Sequence, residues 1–235
     1  MSEVAHSPQS RRRVLAVACL SVFMIVASLS ALNVALAEIA AGFDAEIDDL
    51  QWIVDAYAIT FAGLLLAGGA IGDRIGRRRA LLIGYAVFGV ANLLAAVGGS
   101  VGVVVTLRAV AGVGAALLMP ASLAAVSEVY DDETRSQAIA IWASLAAAGG
   151  ALGPFLGGVL VTARDWPAVF AGNAFLAGIG LVGTVVWVAE LPGRRFGRFD
   201  RLGAVLSVTA VACLVFLVIE GPRHPLAGTT LLALI

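Results

Sequence analysis

The sequence contains no lysine at all. All fifteen of its basic residues are arginine, and against sixteen acids they leave a net charge of -1, so the chain lacks the basic excess that would hold a nucleic-acid backbone, and no nucleic-acid partner is expected. Charge of either sign is scarce, at 13% of residues. Cysteine is limited to Cys19 and Cys213, each inside an apolar stretch, with no CxxC and no cluster with histidine. That pattern indicates neither a disulfide framework nor a metal site, and no cofactor is implied. The only histidines, His6 and His224, lie outside the apolar stretches. What the chain does have is apolar length. Hydrophobic residues make up 60%, mean hydropathy is +0.98 and glycine occurs 27 times, the composition of a multi-span helical protein whose first partner is the lipid bilayer.

A helical crossing needs roughly 20 apolar residues. By that measure the chain divides into seven spans and the start of an eighth. The first is Val14 to Ala37, the second Trp52 to Gly72 with Asp55 inside it. The run from Ala80 to Ser127 is interrupted only by Arg108 and is about twice the length of one crossing, so it must reverse, and Gly98-Gly99-Ser100 is the place for the turn. Ala138 to Ala163, Val169 to Ala189 and Leu202 to Ile219 follow, and apolar sequence resumes at Leu226. The ten residues from there to Ile235 rise only about 15 Å, so the eighth span is incomplete. The expected organisation is therefore a tail at 1–13, a six-helix bundle at 14–190, an arginine-rich loop at 191–201, and a seventh helix with part of an eighth at 202–235.

Orientation follows from the arginines. Arg11, Arg12, Arg13, Arg74, Arg77, Arg78, Arg79, Arg135, Arg194, Arg195, Arg198 and Arg201 fall on one side, twelve in all, while Arg164 and Arg223 fall on the other. The first loop of that other side, Gly42 to Leu50, carries Asp44, Glu46, Asp48 and Asp49 and no base. Arginine-rich short loops stay on the cytoplasmic side, which places the amino terminus there. Arg11 to Arg13 before an apolar stretch ending at Ala35-Leu36-Ala37 imitates a secretory signal. The stretch is too long for one, because signal cores run roughly 7 to 15 residues.

The turn Gly69-Ala70-Ile71-Gly72-Asp73-Arg74-Ile75-Gly76-Arg77-Arg78-Arg79 concentrates one acid and four arginines between two spans. A mere cytoplasmic anchor needs the arginines but gives no reason for Asp73 or the spaced glycines. This turn resembles motif A of the major facilitator superfamily, G-x-L-a-D-r-x-G-r-k, with Gly69, Asp73, Arg74, Gly76, Arg77 and Arg78 at matching places. Three further stretches follow in order. Arg108 to Ala116 is similar to motif B, R-x-x-q-G-x-g-a-a; Gly149 to Gly158 is similar to the antiporter motif C, g-x-x-x-G-P-x-x-G-G; and Phe199-Asp200-Arg201-Leu202-Gly203 resembles the F-D-x-x-G that opens the extra helices of the fourteen-span drug:proton antiporters. Leu50 to Tyr57 also resembles that branch, its actinobacterial members especially.

The resemblance implies an all-α integral membrane protein: the amino-terminal six-helix bundle of a major facilitator transporter plus one linker helix and part of another. It implies a multi-pass protein of the plasma (inner) membrane that expels amphipathic or cationic organic compounds in exchange for protons, is not an enzyme, and requires a carboxy-terminal six-helix bundle as partner. Motif A would lock a gate through a charge relay. Gly149, Gly153, Gly157 and Gly158 with Pro154 would form the antiporter's packing and gating element, because glycines at every fourth position let a second helix approach.

A charge inside a span faces a partner or a water-filled cavity. Arg108 therefore needs a counter-charge, and Asp55, at a similar depth from the outer side, is the expected partner for ion pairing and proton coupling. The alternative is that Asp55 reaches the outer interface and couples nothing. The family pattern also breaks: span one usually reads L-D-x-T-x-V-N-V-A-L-P, and Ser28 stands where the acid belongs. Ser28 cannot carry a proton, Ala111 replaces the glutamine of motif B, and Ala37 replaces the terminal proline of the span-one pattern. Two rivals remain open at this level. A truncated, non-transporting remnant or half-unit fits Ser28 and the stop at Ile235; a membrane enzyme or sensor fits poorly, since no two acids share a span.

Overall fold

The computed structural model describes residues 8–189 together with 209, 210 and 213. The expectations for spans seven and eight, for the arginine-rich loop and for Phe199 to Gly203 lie outside these residues. Among residues 8–189 six helices follow one another: α1 (Pro8–Phe43), α2 (Ile47–Ile75), α3 (Arg77–Ala95), α4 (Val101–Val129), α5 (Asp132–Arg164) and α6 (Pro167–Trp187). All six are long and apolar enough to cross a membrane.

The reversal expected at Gly98-Gly99-Ser100 is present. The Gly98 N–H donates to the Ala95 carbonyl at 3.1 Å to close α3, and Ser100, in extended conformation, opens α4 with its hydroxyl accepting from the Val103 N–H at 3.5 Å. The acidic first loop is shorter than the sequence suggests. α2 starts at Ile47, so Asp48 and Asp49 sit in its first turn, where carboxylates favour the positive end of the helix, and the Glu46 N–H donates to Asp49 Oδ2 at 3.2 Å. Helix α1 begins at Pro8, ahead of the apolar stretch, which puts Arg11 to Arg13 on its first turns.

The packing follows two matched seams. α1 lies along α5 and α2 along α4, while α3 packs on α4 and α6, and α1 also touches α4 and α6. Exchanging α1–α3 with α4–α6 maps these pairings onto one another, as in an internally repeated transporter bundle. The covering is uneven. α5 exposes Leu152, Phe155, Leu156 and Val159 down one side, and α2 exposes Trp52, Leu66 and Ile71. A tie closes the arginine-rich end: Arg11 Nη1 donates to Asp131 Oδ2 at 2.6 Å, linking the start of α1 to the α4–α5 turn.

Candidate functional site

Arg108 is the one fully buried charged side chain among the described residues, at 1% exposure. It projects from α4 into the junction of α1 and α2. Its Nε donates to the Ile53 carbonyl at 3.1 Å and its Nη1 to Ser28 Oγ at 3.2 Å. The guanidinium carbon lies 4.2 Å from the centroid of the Tyr57 ring, a cation–π contact. Tyr57 is itself fixed, donating from its hydroxyl to the Ile25 carbonyl at 3.2 Å. Ser28 receives a second donor, Asn173 Nδ2 of α6, at 3.1 Å. Nη2 of Arg108 is enclosed and has no hydrogen-bond partner.

The expected ion pair between Arg108 and Asp55 is not among the contacts of the described residues. The reason is angular. Ile53, Ala56 and Tyr57 form the buried side of α2 that meets Arg108, and at 100° per residue Asp55 points some 160–200° away from Ile53 and Tyr57. Asp55 is half-buried, on the side of α2 shared with the exposed Trp52 and Leu66. The two residues share a depth but not a face.

At the motif A turn, Gly76 is the only residue between α2 and α3, with φ 97° and ψ 145°, in a region that residues bearing a Cβ rarely enter. Its N–H closes α2 on the Gly72 carbonyl at 3.1 Å, and its own carbonyl accepts from the Ala80 N–H at 3.0 Å. Across this break Asp73 pairs with Arg77. Arg77 also borders a small cavity of 150 Å³ with Ala124, Ser127 and Glu128 of α4. Arg78 Nη2 donates to the Val185 carbonyl at 3.1 Å, holding the start of α3 to the end of α6, while Arg74 is exposed. Gly69 is only in ordinary contact, 3.5 Å from a hypothetical Cβ to Pro120. Its neighbour Gly68 makes the close approach instead, and any Cβ there would run into the Ala116 carbonyl. That carbonyl is the one Pro120 deprives of its helical donor.

The motif C glycines line the α1–α5 seam. A Cβ on Gly149 would lie 2.6 Å from the Phe23 carbonyl oxygen, one on Gly157 2.6 Å from that of Ala31, and one on Gly153 against Ser30 and the Ala27 carbonyl. Gly158, on the edge of the stripe, meets only Val34 at 3.8 Å. Ser30 Oγ donates across the seam to the Gly149 carbonyl at 3.3 Å. Helix α5 continues through Pro154, which is exposed.

Sequence reasoning did not single out Gly68, Tyr57 or Asn173. The signal for Gly68 was available, since a proline seven residues from the end of a run frees a carbonyl that a glycine on a facing helix can meet; the signal for Asn173 was its amide inside an apolar span.

The bundle has relatives among known proteins. The Methylenomycin A resistance protein of Bacillus subtilis is 35% identical over 210 residues, covering 89% of this chain and 45% of that protein. The multidrug efflux pump LfrA of Mycolicibacterium smegmatis is 41% identical over 206 residues, covering 87% and 41%. The multidrug resistance protein Stp of Mycobacterium tuberculosis is 36% identical over 205 residues, covering 87% and 38%. The chain thus spans less than half the length of these relatives. Among solved structures, a peptide transporter POT bound to sulfate superimposes with a TM-score of 0.68 at 19% identity, over 92% of this chain and 47% of that one. A bacterial homologue of the lysosomal transporter Spinster, in an inward-facing state, gives 0.67 at 16% identity over 83% and 47%, a likeness of fold. The family pattern of the Major Facilitator Superfamily matches residues 18–218, and with these relatives it establishes that the chain belongs to that superfamily.

Proposed function

We propose that this chain forms one of the two helical bundles of an efflux transporter in the plasma membrane, which expels amphipathic or cationic organic compounds by alternating access in exchange for protons. The observation that carries the reading is where the two gating motifs lie. Motif A ends α2 and motif C runs along α5, and these two helices expose apolar side chains on one side, with Phe155 68% and Leu66 63% exposed. A second six-helix bundle, rocking against those faces, would complete a midplane cavity. The relatives named for multidrug efflux and resistance support this choice of cargo class. With Ser28 in span one unable to titrate, Asp55, half-buried on that same α2 face, is the carboxylate we assign as proton carrier. Arg108 then acts as the anchor that holds α1, α2 and α4 together. The Asp73–Arg77 pair locks the cytoplasmic gate, with the amino terminus on that side.

The test is the rate at which a lipophilic cationic dye leaves cells making the complete protein, with and without a protonophore. Expected are faster exit than from control cells, abolition by the protonophore, and loss in the Asp55→Asn variant. A dye level equal to that of control cells would remove the efflux reading, and undiminished exit in Asp55→Asn would remove that carboxylate from the cycle.

A further inference from the structure

Among the described residues, the contacts of Arg108 are neutral. Its contacts are a backbone carbonyl, a serine hydroxyl and an aromatic ring, and among the described residues no carboxylate pairs with it. A buried guanidinium keeps its charge, and a cation held away from water without a counter-ion is strongly disfavoured. Hydrogen-bond donors also outnumber acceptors here. Nη1 of Arg108 and Nδ2 of Asn173 both point at Ser28 Oγ, from 3.2 and 3.1 Å, while Nη2 has no partner. Donors from α4 and α6 thus converge on one hydroxyl of α1, with no negative charge among them.

We propose that the Arg108–Ser28–Asn173 cluster is a binding site for a small monovalent anion of the chloride type. One buried positive charge calls for one negative charge. The anion must be small, because Ser28 is 0% and Arg108 1% exposed and the Tyr57 ring covers the guanidinium, so an organic anion could not reach it without parting α1 from α4. Nη2 would donate to the ion, the Ser28 hydroxyl would turn its hydrogen toward it, and the Asn173 amide would contribute a second N–H. A water molecule could satisfy Nη2 but would leave the charge uncompensated. The anion would be a structural counter-ion that fastens α1, α4 and α6, and the inference stands whether or not the chain belongs to a drug exporter.

The experiment is thermal unfolding of the purified chain in detergent micelles, in sodium chloride and in sodium gluconate at equal ionic strength. The wild type should unfold several degrees higher in chloride, with an effect that saturates as chloride rises, since a ligand bound only to the folded state raises its stability by mass action. Ser28→Asp places a fixed carboxylate beside Arg108 and should make the unfolding midpoint the same in both salts. Arg108→Gln removes the cation and should also abolish the response. Should neither variant fold, the wild type must still bind radiolabelled chloride saturably, with displacement by bromide and not by gluconate. Equal midpoints in the wild type, a chloride response retained in Ser28→Asp, or absence of saturable binding would each overturn the proposal; equal midpoints are the result expected if only water occupies the site.

Discussion

The α1–α5 and α2–α4 seams occupy equivalent places in the two halves of the bundle, yet they are fastened differently. Along α1–α5 the contact is backbone against backbone: Gly149, Gly153 and Gly157 meet the carbonyls of Phe23, Ala27 and Ala31. Along α2–α4 two glycines, Gly68 and Gly112, allow the approach, and polar side chains complete it. Thr60 Oγ1 donates to the Ala109 carbonyl at 3.0 Å, and Arg108 reaches the Ile53 carbonyl and the Tyr57 ring. In a bilayer apolar side chains gain nothing by leaving lipid, so helices associate through close packing or through hydrogen bonds. The α1–α5 seam relies chiefly on close packing, the α2–α4 seam on both. Both should therefore be sensitive to added volume at their closest glycines, and the α2–α4 seam also to lost polar partners.

The largest effect is expected where the first seam is overfilled. Gly149→Val or Gly157→Val would each push a side chain into a carbonyl 2.6 Å from the new Cβ, and each should lower stability by about 1–3 kcal/mol or more, read as the unfolding midpoint of the purified chain. Gly150→Ala is the control: its Cβ would meet only Val26 at 3.6 Å, and its effect should stay within about 0.5 kcal/mol. Equal losses at positions 149 and 150 would break the distinction between a glycine that is pressed against α1 and one that is not. The second seam offers the same contrast at adjacent residues. Gly68→Ala should cost about 1–3 kcal/mol by colliding with the Ala116 carbonyl, whereas Gly69→Ala should be nearly neutral.

These pairs show how far the sequence could be read. Span lengths, the reversal at Gly98-Gly99-Ser100 and the glycine period of α5 are properties of one segment at a time, and they are legible because hydrophobic length and small-residue spacing act locally. Which glycine of Gly68-Gly69 touches α4 depends on the rotation of α2 about its axis, and one residue turns the helix by 100°. For the same reason Asp55 and Arg108 share no contact among the described residues, since depth along a helix can be counted from the chain but facing cannot. Ser28 reads as a missing acid, but its contact with Arg108 joins α1 to α4 across 80 residues and has no local signature.

A smaller effect is expected from the polar fastening of the second seam. Tyr57→Phe keeps the ring over Arg108 and loses only the hydroxyl's bond to the Ile25 carbonyl, which should cost about 0.5–1.5 kcal/mol. Tyr57→Leu removes the ring as well and should cost more, because the cation–π contact disappears with it. If the two substitutions lower the unfolding midpoint equally, the ring contributes nothing to holding Arg108.

The smallest effect on stability should come from Asp73→Asn, at the cytoplasmic end of α2. The carboxylate is 43% exposed on its side chain and its partner Arg77 lies across the Gly76 break, and ion pairs this exposed are worth about 0.2–1 kcal/mol. The midpoint should barely move. Transport should respond quite differently if the turn locks the gate, because a lock acts on the balance between inward- and outward-open states and not on the folding of one bundle, and a population shift there needs only modest differential energy. Dye efflux by the complete protein should then fall severalfold in Asp73→Asn while Gly68→Ala, of larger structural cost, lowers efflux only in proportion to the protein lost. Normal efflux in Asp73→Asn would reduce the motif A charges to a topological anchor. A large drop in the unfolding midpoint would instead make the pair a fastening of the α2–α4 end, and the contrast between the seams would then extend to the charged turn itself.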